Sequence, residues 1–227
     1  MSAIRHGNPG EWAKVKGTMT SLWPIFLCCA ALGACATAIV LGRYPAWFAG
    51  AFALCVALTA LFWRTGLRRV ESYFKGARGE ERVAGILETL PGAWHVFHDF
   101  VAGGHHVDHV LVGPTGVYAI ETKNWRGHVT LEKGEMIVDG VLADRSPLLQ
   151  AQRQADAVKS ALKGLGWGGE VVPVLCMASN TFADAPQTSG RTTVLNVSGI
   201  VPWILERPGR CPANEVERLA LLMETNV

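Results

Sequence analysis

The chain has 227 residues, of which 49% are apolar and 18% are charged, against roughly 25% charged in an ordinary soluble domain. The deficit is local: the 43 residues from Ser21 to Trp63 hold one charge, Arg43, while the other 184 hold 39 of the 40, about 21%. This composition excludes a disordered, collagen-like or disulfide-scaffold chain and argues against a purely soluble one.

Residues 1–20 read as a polar N-terminal tail. Ser21–Gly42 and Pro45–Trp63 then supply 22 and 19 mostly apolar residues, and about 20 suffice to cross a ~30 Å hydrocarbon core. The connector Gly42-Arg43-Tyr44-Pro45 allows only a tight hairpin. Trp23, Tyr44, Trp47 and Trp63 lie near the span ends, where amphipathic rings favour the interface. Three basic residues precede the first span (Arg5, Lys14, Lys16), one sits in the connector, and five follow the second (Arg64, Arg68, Arg69, Lys75, Arg78). This distribution places both termini on the cytoplasmic side of a bacterial-type plasma membrane. Two alternatives compete. A cleaved signal peptide would have a shorter apolar core and no second span. Leu32-Gly33-Ala34-Cys35 resembles a lipobox, but Ala36–Leu41 stays apolar where a mature lipoprotein turns polar. Residues 64–78 form a basic linker of net +4, suited to anionic headgroups. No CxxC pair exists among six cysteines, which excludes a disulfide framework and a zinc knuckle and suits a reducing compartment.

Residues 79–227 form the polar domain, with 12 basic and 17 acidic residues, a net of −5 that is not the footprint of a strong nonspecific nucleic-acid binder. Glu80–Leu90 is expected to be a helix, with Val83, Ile86, Leu87 and Leu90 on one face and Pro91-Gly92 ending it. Trp94–Phe100, Val107–Val112 and Val117–Thr122 alternate as strands, the last two joined through Gly113–Gly116. The spacing extends this antiparallel meander to Leu131, with a smaller hairpin around Lys133-Gly134. Ser146-Pro147 opens a helix to about Leu162, with Leu148, Ala151, Ala155, Val158 and Leu162 inward. Val171–Met177 is a core strand that Pro173 demotes towards an edge or bulge. Thr193–Val197 is a further strand, and Gly199–Glu206 and Ala213–Glu224 are helices. The order is a mixed α/β sandwich.

The chemistry sits on the central hairpin. Glu121 and Lys123 share a strand face, and Asp108 lies across the turn. Two carboxylates and a lysine can therefore converge at one sheet edge. Carboxylate oxygens suit Mg²⁺, and a lysine beside the metal can orient or deprotonate water for attack on phosphorus. Taken singly, each residue also reads as the solvated end of a strand; together on adjacent strands they are harder to dismiss. Gly103-Gly104 and Gly164-Leu165-Gly166 are turns, since no GxxxxGK[ST] loop is present. His105, His106 and His109 beside Asp108 suggest zinc at first sight. Alternation puts His106 with Asp108 and turns His105 and His109 away, so only His106 remains a candidate lining residue.

Five features, in order, resemble the nuclease-related domain (NERD) family, a branch of the restriction-endonuclease-like PD-(D/E)xK superfamily. They are Gly76-Ala77-Arg78-Gly79-Glu80, Val107-Asp108-His109, Gly113-Pro114-Thr115-Gly116-Val117, Glu121-Thr122-Lys123-Asn124-Trp125-Arg126-Gly127 and Ser146-Pro147-Leu148-Leu149-Gln150. The resemblance spans roughly residues 74–165 and implies an αβββαβ core preceded by a two-helix transmembrane hairpin. It assigns Asp108 and Glu121 as metal ligands, Lys123 as the catalytic lysine, Glu80 as the helix glutamate completing the site, and Gln150 as the second helix's glutamine. Periodicity independently favours Glu80 over Glu81 and gives Gln150 no support. The implied cofactor is Mg²⁺ or Mn²⁺, and the implied partners are nucleic acid, DNA foremost, and the lipid bilayer. The implied activity is a membrane-anchored, metal-dependent nuclease that hydrolyses phosphodiesters. The alternative is a catalytically weak or inactive nuclease-like module that binds or regulates at the membrane, which the net charge favours.

Overall fold

The computed structural model describes residues 2–42, 47–179 and 181–225. The chain divides into two units, Trp12–Lys75 on the one hand and Met1–Glu11 with Gly76–Val227 on the other. The expected connector falls, from Arg43 onward, outside the described residues.

The first unit is helical. Helix α1 runs Glu11–Val40 and α2 runs Trp47–Leu87, continuing into the second unit. Both are long and apolar enough to cross a membrane by length and composition. Almost none of their apolar stretches is buried, and Phe26, Leu27, Leu54 and Leu61 are all more than half exposed. A soluble core helix would have covered such side chains. At Gly17 an added Cβ would lie 2.5 Å from Tyr73 Cβ, so α1 and α2 pack closely there. The expectation of a helix opening at Glu80 is corrected: α2 begins far earlier and passes through the basic stretch 64–78 without a break, so that stretch is helical. No proline interrupts this stretch, and Val70, Tyr73 and Ala77 keep the helical spacing.

The second unit is built on a seven-stranded mixed sheet in the order β1-β2-β3-β4-β8-β10-β9. Its strands are β1 Ile4–His6, β2 His95–Ala102, β3 His105–Gly113, β4 Gly116–Lys123, β8 Val171–Met177, β9 Gln187–Ser189 and β10 Thr192–Asn196. Strands β5 Val129–Glu132, β6 Glu135–Val138 and β7 Val141–Leu142 form a separate three-stranded sheet. The β3–β4 hairpin closes at Gly113↔Gly116, as the turn residues require. The meander does not continue to Leu131, because β4's other neighbour is β8, paired in parallel. Strand β8 is central, not an edge. Pro173 is tolerated because β10 begins to pair only at Val174, so it lies where β4 alone flanks the strand.

The N-terminal stretch is not simply a tail: Ile4–His6 adds to the sheet in parallel with β2, Ile4 opposite His95. Three residues without clear alternation leave no periodic signal for such a strand. Helices α3 Pro147–Gly164 and α5 Ala213–Thr225 cover one face, where Ala155, Val158, Leu162, Val216 and Leu219 meet Val110, Val117 and Ala119. The C-terminal part of α2 and helix α4 Val197–Leu205 cover the other, where Val83, Leu87 and Ile200 meet Leu111, Tyr118 and Ile120.

Strict alternation fails at one place. Phe97 and Phe100, three residues apart, join the same core cluster, as do Val107 and Val110. Asp99 between the first pair has φ 53°, and the ladder pairs His98↔His109 and Phe100↔Val107 while omitting Asp99 and Asp108. A left-handed residue reverses which way the strand faces. The kink sits directly beside Asp108.

Candidate active site

The hairpin register, with residue numbers of opposed pairs running His109↔Ile120 to Gly113↔Gly116, carries Asp108 opposite Glu121 just beyond the ladder's end. Freed from the ladder, the Thr122 N–H donates to Asp108 Oδ2 at 2.8 Å. Glu121 is buried on the α3 side of the sheet. Its Oε1 accepts from Lys123 Nζ at 2.5 Å and its Oε2 from Gln154 Nε2 at 2.5 Å. Lys123 Nζ also donates to Gln150 Oε1 at 3.1 Å. The structure therefore brings Asp108, Glu121, Lys123 and Gln150 together.

Glu80 arrives from α2 through a close approach at the preceding glycine. A Cβ on Gly79 would lie 2.6 Å from Asn124 Cβ. Asn124 in turn is held by Ser179 Oγ, and Lys123 O accepts from Ala178 N–H at 2.9 Å. Only a residue without a side chain lets α2 come this near β4's end. Glu80 is partly buried and Glu81 exposed, as the periodicity requires. Burial, followed by repulsion from Asp99 and Glu121, lifts the Glu80 carboxyl to about 7. Asp108 is held well above the usual carboxylate range by burial, then by Glu121 and Glu80, against the Thr122 N–H and Lys123.

Sequence reasoning missed two residues. Gln154, one turn beyond Gln150, is buried and donates to both Glu121 Oε2 and the His106 carbonyl. The signal was a polar residue on the stripe of Ala151, Ala155 and Val158, where an uncharged apolar side chain belongs. Asp99 lies near enough to Glu80 to raise its pKa, and its carboxylate accepts from the Glu11 N–H and pairs with His106 Nε2 at 3.2 Å. His109 is elsewhere: it is buried, its Nδ1 2.8 Å from His98 Nδ1.

Among the described residues no group of three or more His, Cys, Asp or Glu side chains is arranged to hold a metal ion by itself. Three carboxylates nevertheless crowd around one lysine, and two of them are pushed towards the neutral form. A hard cation would relieve that repulsion, and an all-oxygen donor set of one or two carboxylates completed by water is what Mg²⁺ takes. The residues present fit such an ion through Asp108 and Glu121, with Glu80 beside them.

The family model described as nuclease-related domain matches residues 75–178, which contain Glu80, Asp108, Glu121, Lys123, Gln150 and Gln154. The match supports that family for this part of the chain and suggests a nuclease-like function. A protein of Bacillus anthracis, itself described as uncharacterized, is 30% identical over 80 residues, covering 32% of this chain and 38% of that protein. The chain thus spans well under half the length of this relative. No solved structure matches.

Proposed function

We propose that the protein is a membrane-anchored, divalent-metal-dependent nuclease of the PD-(D/E)xK kind. The observation that carries this reading is the convergence of Asp108, Glu121 and Lys123 at the kinked end of one hairpin, with Glu80 and Gln150 brought in from two helices. Asp108 and Glu121 would hold Mg²⁺ or Mn²⁺, which when bound polarises the scissile phosphate and acidifies a water. Lys123 stands where it can orient that water or take its proton, and Gln150 fixes the lysine's position. Gln154 holds the Glu121 carboxylate in one orientation. The two exposed apolar helices would set the domain beside the bilayer.

The test is cleavage of a panel of single- and double-stranded DNA and RNA by the full chain in neutral detergent, with Mg²⁺, Mn²⁺ and chelator arms. Metal-dependent cleavage lost in Asp108→Asn supports the nuclease. Binding of nucleic acid without cleavage under every metal supports the alternative, a module that kept the fold for recognition. The net charge of the domain and the Lys123–Glu121 ion pair, which occupies one ligand oxygen, favour that alternative.

A further inference from the structure

We infer that the groove alongside α3 seats a polynucleotide strand, with Arg145 and Arg153 gripping a backbone phosphate next to the one at the carboxylates. This deepens the nuclease reading and rests on it. The groove encloses about 460 Å³, and Arg145, Leu149, Gln150, Arg153 and Gln154 are among its lining residues. Two of these reach the site directly: Gln150 accepts from Lys123, and Gln154 donates to Glu121. The groove therefore borders the site through these two glutamines.

Its cations are available. Among the described residues Arg145 and Arg153 are in no ion pair or side-chain hydrogen bond, whereas Arg191 and Arg218 are tied to Asp156 and Glu215. A guanidinium matches phosphate oxygens with two parallel N–H donors. The domain as a whole is net negative, so long-range attraction will not hold a polyanion and short-range contacts must. Helix α3 is built for both tasks. Leu148, Ala151, Ala155 and Val158 face the core, Leu149, Gln150 and Arg153 present a second stripe to the groove, and buried Gln154 lies between the two. Leu149 is half exposed between the two arginines in sequence and offers an apolar floor for a sugar or base. Recognition of this kind reads the backbone and not the sequence.

The experiment uses the full chain in neutral detergent and a fluorescein-labelled oligothymidylate, with Ca²⁺ present, followed by anisotropy over a salt series. Arg145→Ala and Arg153→Ala should each weaken binding several-fold. The double variant should flatten the slope of log K against log salt by about 0.7 for each phosphate contact removed. Arg153→Lys should keep part of the affinity, and Arg218→Ala all of it. Cleavage of oligonucleotide by the double variant should show a raised KM with kcat largely kept, as for arginines that hold a phosphate other than the reacting one, and Arg218→Ala should change neither. A wild-type chain that does not bind the oligonucleotide, or a double variant with wild-type affinity and salt slope, overturns the inference. So does loss of binding only to anionic phospholipid vesicles, which would make the arginines a lipid contact. A chain that binds through the arginines yet cuts nothing keeps this groove and removes the nuclease; a chain that cuts oligonucleotide equally well without the arginines does the reverse.

Discussion

Gln154 Nε2 gives its two hydrogens to two acceptors, Glu121 Oε2 at 2.5 Å and the His106 carbonyl oxygen at 2.9 Å. Both partners are pure acceptors, which fixes how the amide is turned. With Lys123 on its other oxygen, the Glu121 carboxylate is clamped before any ligand binds. Gln154→Met keeps the volume but leaves both acceptors unsatisfied, at a cost of about 1–3 kcal/mol in stability. Loss of a residue that orients a ligand typically lowers metal affinity or activity ~10–100-fold. Titration of Mn²⁺ into the two proteins checks this; equal affinities would reduce Gln154 to a space-filling role.

Lys123→Ala and Asp108→Asn should fail differently. Removing Asp108's charge weakens metal binding, whereas Lys123→Ala leaves the carboxylates and loses the group that positions or deprotonates the water, worth about 10²–10⁴ in rate. Glu80→Gln should cost more than Glu81→Gln, since Glu81 is exposed. Initial rates at saturating Mn²⁺, beside thermal midpoints, separate these effects. Undiminished cleavage by Lys123→Ala would mean that the observed activity comes from another protein.

Gly79→Ala places a methyl 2.6 Å from Asn124 Cβ, so either α2 or the end of β4 must move. Overpacking of this kind costs about 1–3 kcal/mol, and the shift carries Glu80 away from Asp108 and Glu121. Asn124→Gly in the same chain should restore much of the stability. A double-mutant cycle measured by thermal unfolding reads the coupling directly; additive effects would show that the contact is not what requires glycine there.

The hairpin carrying the site was legible because β3 and β4 alternate and Gly113–Gly116 can only turn. The α3 core stripe was legible for the same reason: five residues repeat at helical spacing behind a Ser-Pro start. Three things were not. Strand β1 is too short to show a period and is created by β2's edge. The continuity of α2 through residues 64–78 was masked by its charges and glycines, which suggest a linker while the apolar spacing persists beneath. Pro173 is read as an edge marker only if every neighbour pairs over the full strand, and β10 does not. Within the site, the motif points to Gln150, whereas burial and contact with Glu121 both fall on Gln154.

The buried pair His98–His109 gives the domain an acid limit. Burial first, then Arg5 and His6, holds His98 down at about 4 instead of 6.5. The unfolded chain therefore takes up this proton at higher pH than the folded one. The stabilisation is complete above pH 6.5 and is lost between about 6.5 and 4, at up to ~1.4 kcal/mol per pH unit for one proton. His109 is shifted in the same direction, also by burial, and steepens the fall. Glu80 and Asp108, whose raised carboxyl values act in the opposite sense, are common to both chains, so thermal midpoints between pH 7.5 and 5 should fall more steeply, or rise less, in the wild type than in the His98→Leu, His109→Leu double variant. Parallel curves for the two chains would show that neither imidazole is kept neutral by the fold.

The pairing of β1 with β2 bears on topology. Ile4–His6 and Gly76–Thr225 share one folded unit, so they lie on the same side of any membrane that the chain crosses. A chain that crosses must then do so an even number of times, and its two long apolar helices have the length and composition for two crossings. The three, one and five distribution of basic residues predicts the cytoplasm for that side. Reporters fused before Met1 and after Val227 should therefore both be active in the cytoplasm and inactive outside. Ile4→Pro, which deletes the Ile4 N–H that donates to Trp94 O, should lower the thermal midpoint without moving either reporter, because charge sets orientation while the strand only seals the sheet edge. Reporters on opposite sides would require a single crossing, and with it a chain in which β1 cannot reach β2.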